Sequence, residues 1–133
     1  MMEKLPILTL PCPSTAAMRG PTLVDADRGL LVSLVCDDDG RERQVGLLFT
    51  KPRAFRKREE TYCTSWHVKD AYDTVCEVKP SDWVEELRND AVPEWRDHWT
   101  MRHFIVYLDG FGCLEVVAES ASLDDTPRNS AGT

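Results

Sequence analysis

The sequence has no long hydrophobic run. Nowhere do its 133 residues approach the roughly 20 consecutive apolar residues that cross a bilayer as a helix. It also lacks close cysteine pairs. Its 5 cysteines, Cys12, Cys36, Cys63, Cys76 and Cys113, are odd in number and widely scattered. That spacing fits neither a disulfide framework nor the paired thiolates of structural zinc. Positive charge is short as well: 16 Lys and Arg face 23 Asp and Glu, a net of -7. A general nucleic-acid binder needs the opposite balance to displace counterions. The zinc-deaminase pattern, the HExxH helix, the Walker loop and the Rossmann glycine fingerprint are all absent. No cofactor and no metal is expected.

The N-terminus begins with apolar residues but does not read as a signal peptide, because Pro6, Pro11 and Pro13 interrupt the run. Cys12 follows Pro11, where a lipoprotein cysteine would need a small residue. A cytoplasmic protein is expected, and Cys36, Cys76 and Cys113, set in apolar runs, read as small buried hydrophobes in a reducing compartment.

What is present suits one domain. Residues 1–22 are rich in Pro, Thr and Ser and read as a loose extension, with an ordered start near Met18 as one possibility. Residues 123–133 have no large apolar residue after Leu123 and read as a disordered tail. Residues 23–122 are then the folded unit.

Two hairpins stand out. In residues 30–50, Leu30, Val32, Leu34 and Cys36 alternate with less apolar neighbours, as do Val45, Leu47 and Phe49. Asp39-Gly40 between them suits a type I′ turn, which needs positive φ at both central residues. A two-residue loop sets Leu34 opposite Val45, Val32 opposite Leu47 and Leu30 opposite Phe49. Asp37-Asp38-Asp39-Gly40 is not a calcium loop, because Arg41 takes the place of the next oxygen ligand. In residues 103–119, a three-residue loop at Gly110 to Gly112 sets Phe104, Val106 and Leu108 opposite Ala118, Val116 and Leu114. The other face then pairs His103 with Glu119, Ile105 with Val117, and Tyr107 with Glu115.

Between the hairpins, Thr74 to Val78 reads as a strand, and Tyr62 to Trp66 as a further one. A helix of about 82–90 follows Pro80-Ser81-Asp82, with Ser81 or Asp82 as its cap and Trp83, Val84 and Leu87 as its apolar stripe. Trp83 is expected in the core. The fold class is α+β: an antiparallel sheet built from the two hairpins and one or two middle strands, with the helix packed on one face.

Candidate sites follow from residue chemistry. Cys63 and His67 could form a thiol–imidazole pair, although no hydrolase signature surrounds them. Cys63, His67 and Cys76 with His103 or Cys113 are conceivable zinc ligands that lack the usual spacing. His103, Tyr107, Glu115 and Glu119 share one hairpin face and could line an enzyme or ligand site; the alternative is a solvated sheet face. Trp95 and Trp99, four residues apart, would share a face in a helical turn and could anchor a partner. Lys51, Arg53, Arg56, Lys57 and Arg58 place +5 within residues 51–58, leaving -12 for the rest of the chain. They could contact an anion or a nucleic acid, or protect a strand edge from aggregation. Residues 67–97 carry -5 net, and Asp82, Glu85, Glu86 and Asp90 in this stretch could steer a basic protein.

Residues 72–120 carry a resemblance. Ala71-Tyr72-Asp73-Thr74-Val75, Ser81-Asp82-Trp83, the run from Arg102 to Asp109, and the run from Cys113 to Ser120 look like those of a group of small bacterial proteins of uncertain function. Small acidic α+β chains of this kind also resemble immunity proteins of bacterial toxin systems. Those bind a toxin, often a basic nuclease, and carry no catalytic motif. The resemblance implies a non-catalytic protein-binding role and assigns no residue.

Overall fold

The computed structural model describes residues 2–124. The fold is α+β, with nine strands among the described residues arranged in two antiparallel sheets. The first sheet has the order β1 (Glu3–Thr9), β6 (Thr74–Lys79), β7 (Arg102–Leu108), β8 (Gly112–Ala118) and β5 (Ala54–Arg58). The second has the order β2 (Ala17–Ala26), β3 (Gly29–Asp38), β4 (Arg41–Thr50) and β9 (Ser120–Leu123). The helices are a single turn, α1 (Ser65–Val68), and α2 (Asp82–Asp90).

The first hairpin, β3–β4, has the expected register: Leu30 pairs with Phe49, Val32 with Leu47, and Leu34 with Val45. Asp39 and Gly40 both take positive φ, 55° and 85°, as the turn requires. Asp37 fastens it by accepting the Gly40 N–H at 2.9 Å.

The second hairpin, β7–β8, closes one residue earlier than expected. Leu108 pairs with Gly112, so the loop is Asp109 to Phe111, and Phe104 now meets Val116 and Val106 meets Leu114. Phe111 explains the difference. Its N–H reaches the Leu108 carbonyl at 3.1 Å, and its ring is buried with the core rather than left at a loop tip. The partners shift by two residues, an even number, so every side chain keeps its expected face. His103 now opposes Val117, Ile105 opposes Glu115, and Tyr107 opposes Cys113.

The two hairpins lie in different sheets, not side by side in one. Each has a wholly apolar face, and the two faces close on each other. Leu30, Val32, Leu34 and Phe49 meet Phe104, Val106, Leu114 and Val116 between the sheets. The rings of Phe49 and Phe104 stand 5.9 Å apart. Each such buried side chain stabilises the fold by about 1.5–3 kcal/mol relative to exposure.

Of the expected loose extension 1–22, the described residues 2–22 instead supply strands to both sheets. β1 pairs along β6 from Glu3–Lys79 to Thr9–Thr74, and β2 pairs with β3. Both are edge strands, where Pro6 and Pro21 cost the ladder little. Leu10 is buried in the core, and Ser14 ties the connecting turn to the second hairpin by accepting the Asp109 N–H at 2.8 Å. At the other end, Leu123 belongs to β9 and pairs with Leu47, so the expected tail loses its first residue to the sheet. Asp124 follows it, its N–H donating to the Gly46 carbonyl at 2.7 Å, and the rest of that expectation, residues 125–133, lies outside the described residues.

The outer face of the first sheet carries a second apolar cluster, including Cys76, Val78, Ile105 and Cys113, with Trp66 and Val68 packed over it. The expected strand at Tyr62 to Trp66 is instead a 3-10 turn at Glu60–Tyr62 followed by α1. α2 begins at the expected place, with Ser81 accepting the Val84 N–H. Trp83, expected in the core, is only half-buried, since α2 inserts Val84 and leaves the indole at its margin.

Candidate functional site

A polar network lies where α2 meets the sheet. Sheet register places Arg56 beside Glu115, and Glu115 is one diagonal step from His103. His103 and Glu115 are only 2% and 6% exposed. Val84 N–H donates to Ser81 Oγ at 3.1 Å, which leaves the Ser81 hydroxyl proton for His103 Nδ1 at 2.7 Å. His103 Nε2 then donates to Glu115 Oε1 at 2.8 Å. Arg56 Nε and Nη2 complete the set, each donating to a Glu115 oxygen at 3.1 Å. Burial alone would raise the Glu115 carboxyl, but the bonds from His103 and Arg56 outweigh it and bring it down to about 2. Glu115 therefore stays a carboxylate. Both of its oxygens and both ring nitrogens of His103 are engaged, and Ser81 Oγ is spent on the α2 cap. The set anchors α2 and Arg56 to the sheet, and offers no free base.

A cleft of about 480 Å3 opens above this network, within the range of small-ligand sites. On one wall Arg56 stacks on the Trp83 ring at 4.0 Å, and Trp83 meets His103 edge-on at 5.2 Å. α1 supplies Trp66 and His67 to the lining of the same cleft. His67 Nδ1 accepts the Thr64 N–H at 2.9 Å, a cap on α1 that fixes the ring. Burial, and then Arg58, lower the His67 pKa, so the imidazole is neutral with its proton on Nε2. Lys4 of β1 lies over the outer part of Trp66 at 4.4 Å.

The expected four-residue polar patch is thus only half assembled. His103 and Glu115 meet, whereas the Tyr107 hydroxyl donates to Glu60 at 3.0 Å. Burial, and then Glu60, push that phenol up to about 12. Glu119 lies past the end of β8, beside Lys51 and Arg53 at 4.0 and 3.8 Å. The shift of two residues in register removed it from the patch. Cys63 and His67 are not joined: the thiol donates to the carbonyls of Arg58 and Glu59 at 3.6 and 3.5 Å. Among the described residues no group of three His, Cys, Asp or Glu side chains is placed to hold a metal. Trp66, and Arg58 as a neighbour of His67, entered the cleft unforeseen. Strand alternation from Arg56 to Arg58 was the one local signal for the latter.

That alternation also splits the basic block. Arg56 and Arg58 face the cleft, Lys57 lies over Phe111 at 4.4 Å on the other side, and Arg53 stacks on Trp99 at 4.3 Å. The five cations form no common face, and three of them, Arg56, Lys57 and Arg58, sit on β5, an edge strand.

A second candidate surface follows α2. Trp95 and Trp99 share a face as expected. Their rings stack at 6.3 Å and 20°, and they are 49% and 42% exposed. Arg96 holds this segment against the C-terminus of α2 by donating to the carbonyls of Arg88 and Asn89 at 3.1 and 3.3 Å. On α2, Glu85 pairs with Arg88 at 3.2 Å. Asp82, Glu86 and Asp90 are exposed, and the first two border the cleft.

No family model, curated protein or solved structure was found to match this chain. Among the described residues no helix is long and apolar enough to cross a membrane.

Proposed function

We propose that this is a non-catalytic, cytoplasmic protein-binding domain of the bacterial immunity type, which docks a basic protein on the surface running from α2 to Trp99. The stacked, exposed pair Trp95–Trp99 carries the reading. Large aromatic rings at a surface supply most of the energy of a docked interface, and two of them held rigid cost little entropy on binding. Charge supports the basic partner. Arg88 and Arg96 are engaged within the segment, by Glu85 and by the end of α2, while Asp82, Glu86 and Asp90 point outward. The saturated Ser81–His103–Glu115–Arg56 network, with Tyr107 and Glu119 elsewhere, gives less support to an enzyme on the polar patch.

The test is co-purification from the native host at low and high salt, with the bound protein identified and then titrated in pure form. One basic partner, bound more weakly at high salt and lost with the double variant Trp95→Ala/Trp99→Ala, is the expected outcome. Recovery of no protein, or a partner indifferent to both tryptophans, overturns the reading.

A further inference from the structure

The cleft above the polar network shares Asp82 and Glu86 with the α2 surface but is lined by neither Trp95 nor Trp99, and unpaired groups of both signs converge in it. At its β5 and α1 end, the Arg58 guanidinium makes one hydrogen bond with the described residues, from Nη1 to the Tyr62 carbonyl at 3.2 Å. Its other donors remain available. Beside it His67 is neutral, with Nδ1 occupied by Thr64, so its Nε2–H is a second donor. At the α2 end stand Asp82 and Glu86, one helical turn apart on one face. Both are exposed, and neither pairs with another described residue. The indoles of Trp66, beside His67, and of Trp83, beside Asp82, also line the cleft.

Arg56 and Glu115 neutralise each other in the floor. Among the lining residues what remains is one cation with an N–H donor at one end and two carboxylates at the other. A bare anion would meet Asp82 and Glu86, and a bare cation would meet Arg58. A molecule with opposite charges at its two ends satisfies both. We infer that the cleft binds short zwitterionic peptides of two or three residues. The peptide carboxylate lies at Arg58 and His67, the ammonium at Asp82 and Glu86, and the backbone and apolar side chains between Trp66 and Trp83. A cleft of about 480 Å3 admits such a ligand.

The experiment is calorimetric titration of the full chain with phenylalanyl-glycine and glycyl-phenylalanine, each free, N-acetylated and C-amidated. The free peptides should bind saturably. Either blocking group should cost about tenfold, as loss of one charge-assisted contact does. Arg58→Gln should reproduce the cost of amidation and make amidation itself silent. Asp82→Asn with Glu86→Gln should do the same for acetylation. These side chains are exposed, and unchanged melting temperatures would show that the variants fold. Absence of saturable binding up to the millimolar range overturns the proposal. So does equal affinity for free and blocked peptides, or binding unaffected by all three substitutions. None of these outcomes depends on whether a protein docks at Trp95 and Trp99.

Discussion

His103 Nε2 lies 2.8 Å from Glu115 Oε1, and both side chains are buried on the outer face of the five-stranded sheet. They sit on adjacent strands, one diagonal step apart. Their contact joins α2, through Ser81, to β5, through Arg56. Removing one partner of such a pair leaves the other buried without compensation. Glu115→Ala should cost about 3 kcal/mol, the low end for a buried pair, because Arg56 keeps access to water. Urea unfolding measures it. A loss under about 1 kcal/mol, the worth of a surface pair, would mean that the network does not support the fold.

Acid should act on the same group. The Glu115 carboxyl stands at about 2 in the folded chain, against an ordinary value of 4.5. A depressed carboxylate contributes stability above its ordinary pKa and loses it as pH falls toward the folded one. Stability should therefore hold at neutral pH and decline as pH falls from 4.5 towards 2. Glu77, lowered mainly by its bond from Arg102, adds to the same decline. Denaturant midpoints at several pH values for the parent chain and for Glu115→Gln test this, since the variant should show a shallower slope. Equal slopes would remove Glu115 as a source.

Two glycines of the second hairpin should respond differently to alanine. At Gly112, φ is +105°, and an added Cβ would stand 2.2 Å from the Arg58 carbonyl oxygen. At Gly110, φ is +73° and the space around it is open. Gly110→Ala should cost about 1 kcal/mol, the backbone strain alone. Gly112→Ala should cost more than about 2 kcal/mol, because β5 must also move. Thermal unfolding of both variants gives the comparison, and equal costs would contradict the close approach of β5 to β8.

The tryptophan pair should matter to binding and little to folding. Trp95→Ala and Trp99→Ala each remove an exposed ring, and surface changes of this kind stay within about 0.5 kcal/mol. Some loss at Trp99 is expected from its stacking with Arg53. Melting curves near those of the parent chain, with partner binding gone, would separate the two roles. A large drop in stability would make the pair structural.

The sequence by itself determined whatever rests on short-range chemistry. The β3–β4 register followed from Asp39-Gly40 and strict alternation, and the start of α2 followed from Ser81. The faces of β7 and β8 followed too, since they depend only on parity along the strand. Tertiary structure alone decided the rest. Whether two apolar hairpin faces lie side by side or close on each other is not a local property, and burial of Phe111 moved the loop by one residue. Pairing of β1 with β6 and of β9 with β4 depends on partners 65 or more residues away, which supply the backbone hydrogen bonds these edge segments lack locally. The cleft has the same origin. Arg58, Trp66, Asp82 and Glu115 come from four separate elements, and only packing of α1 and α2 over the sheet brings them together.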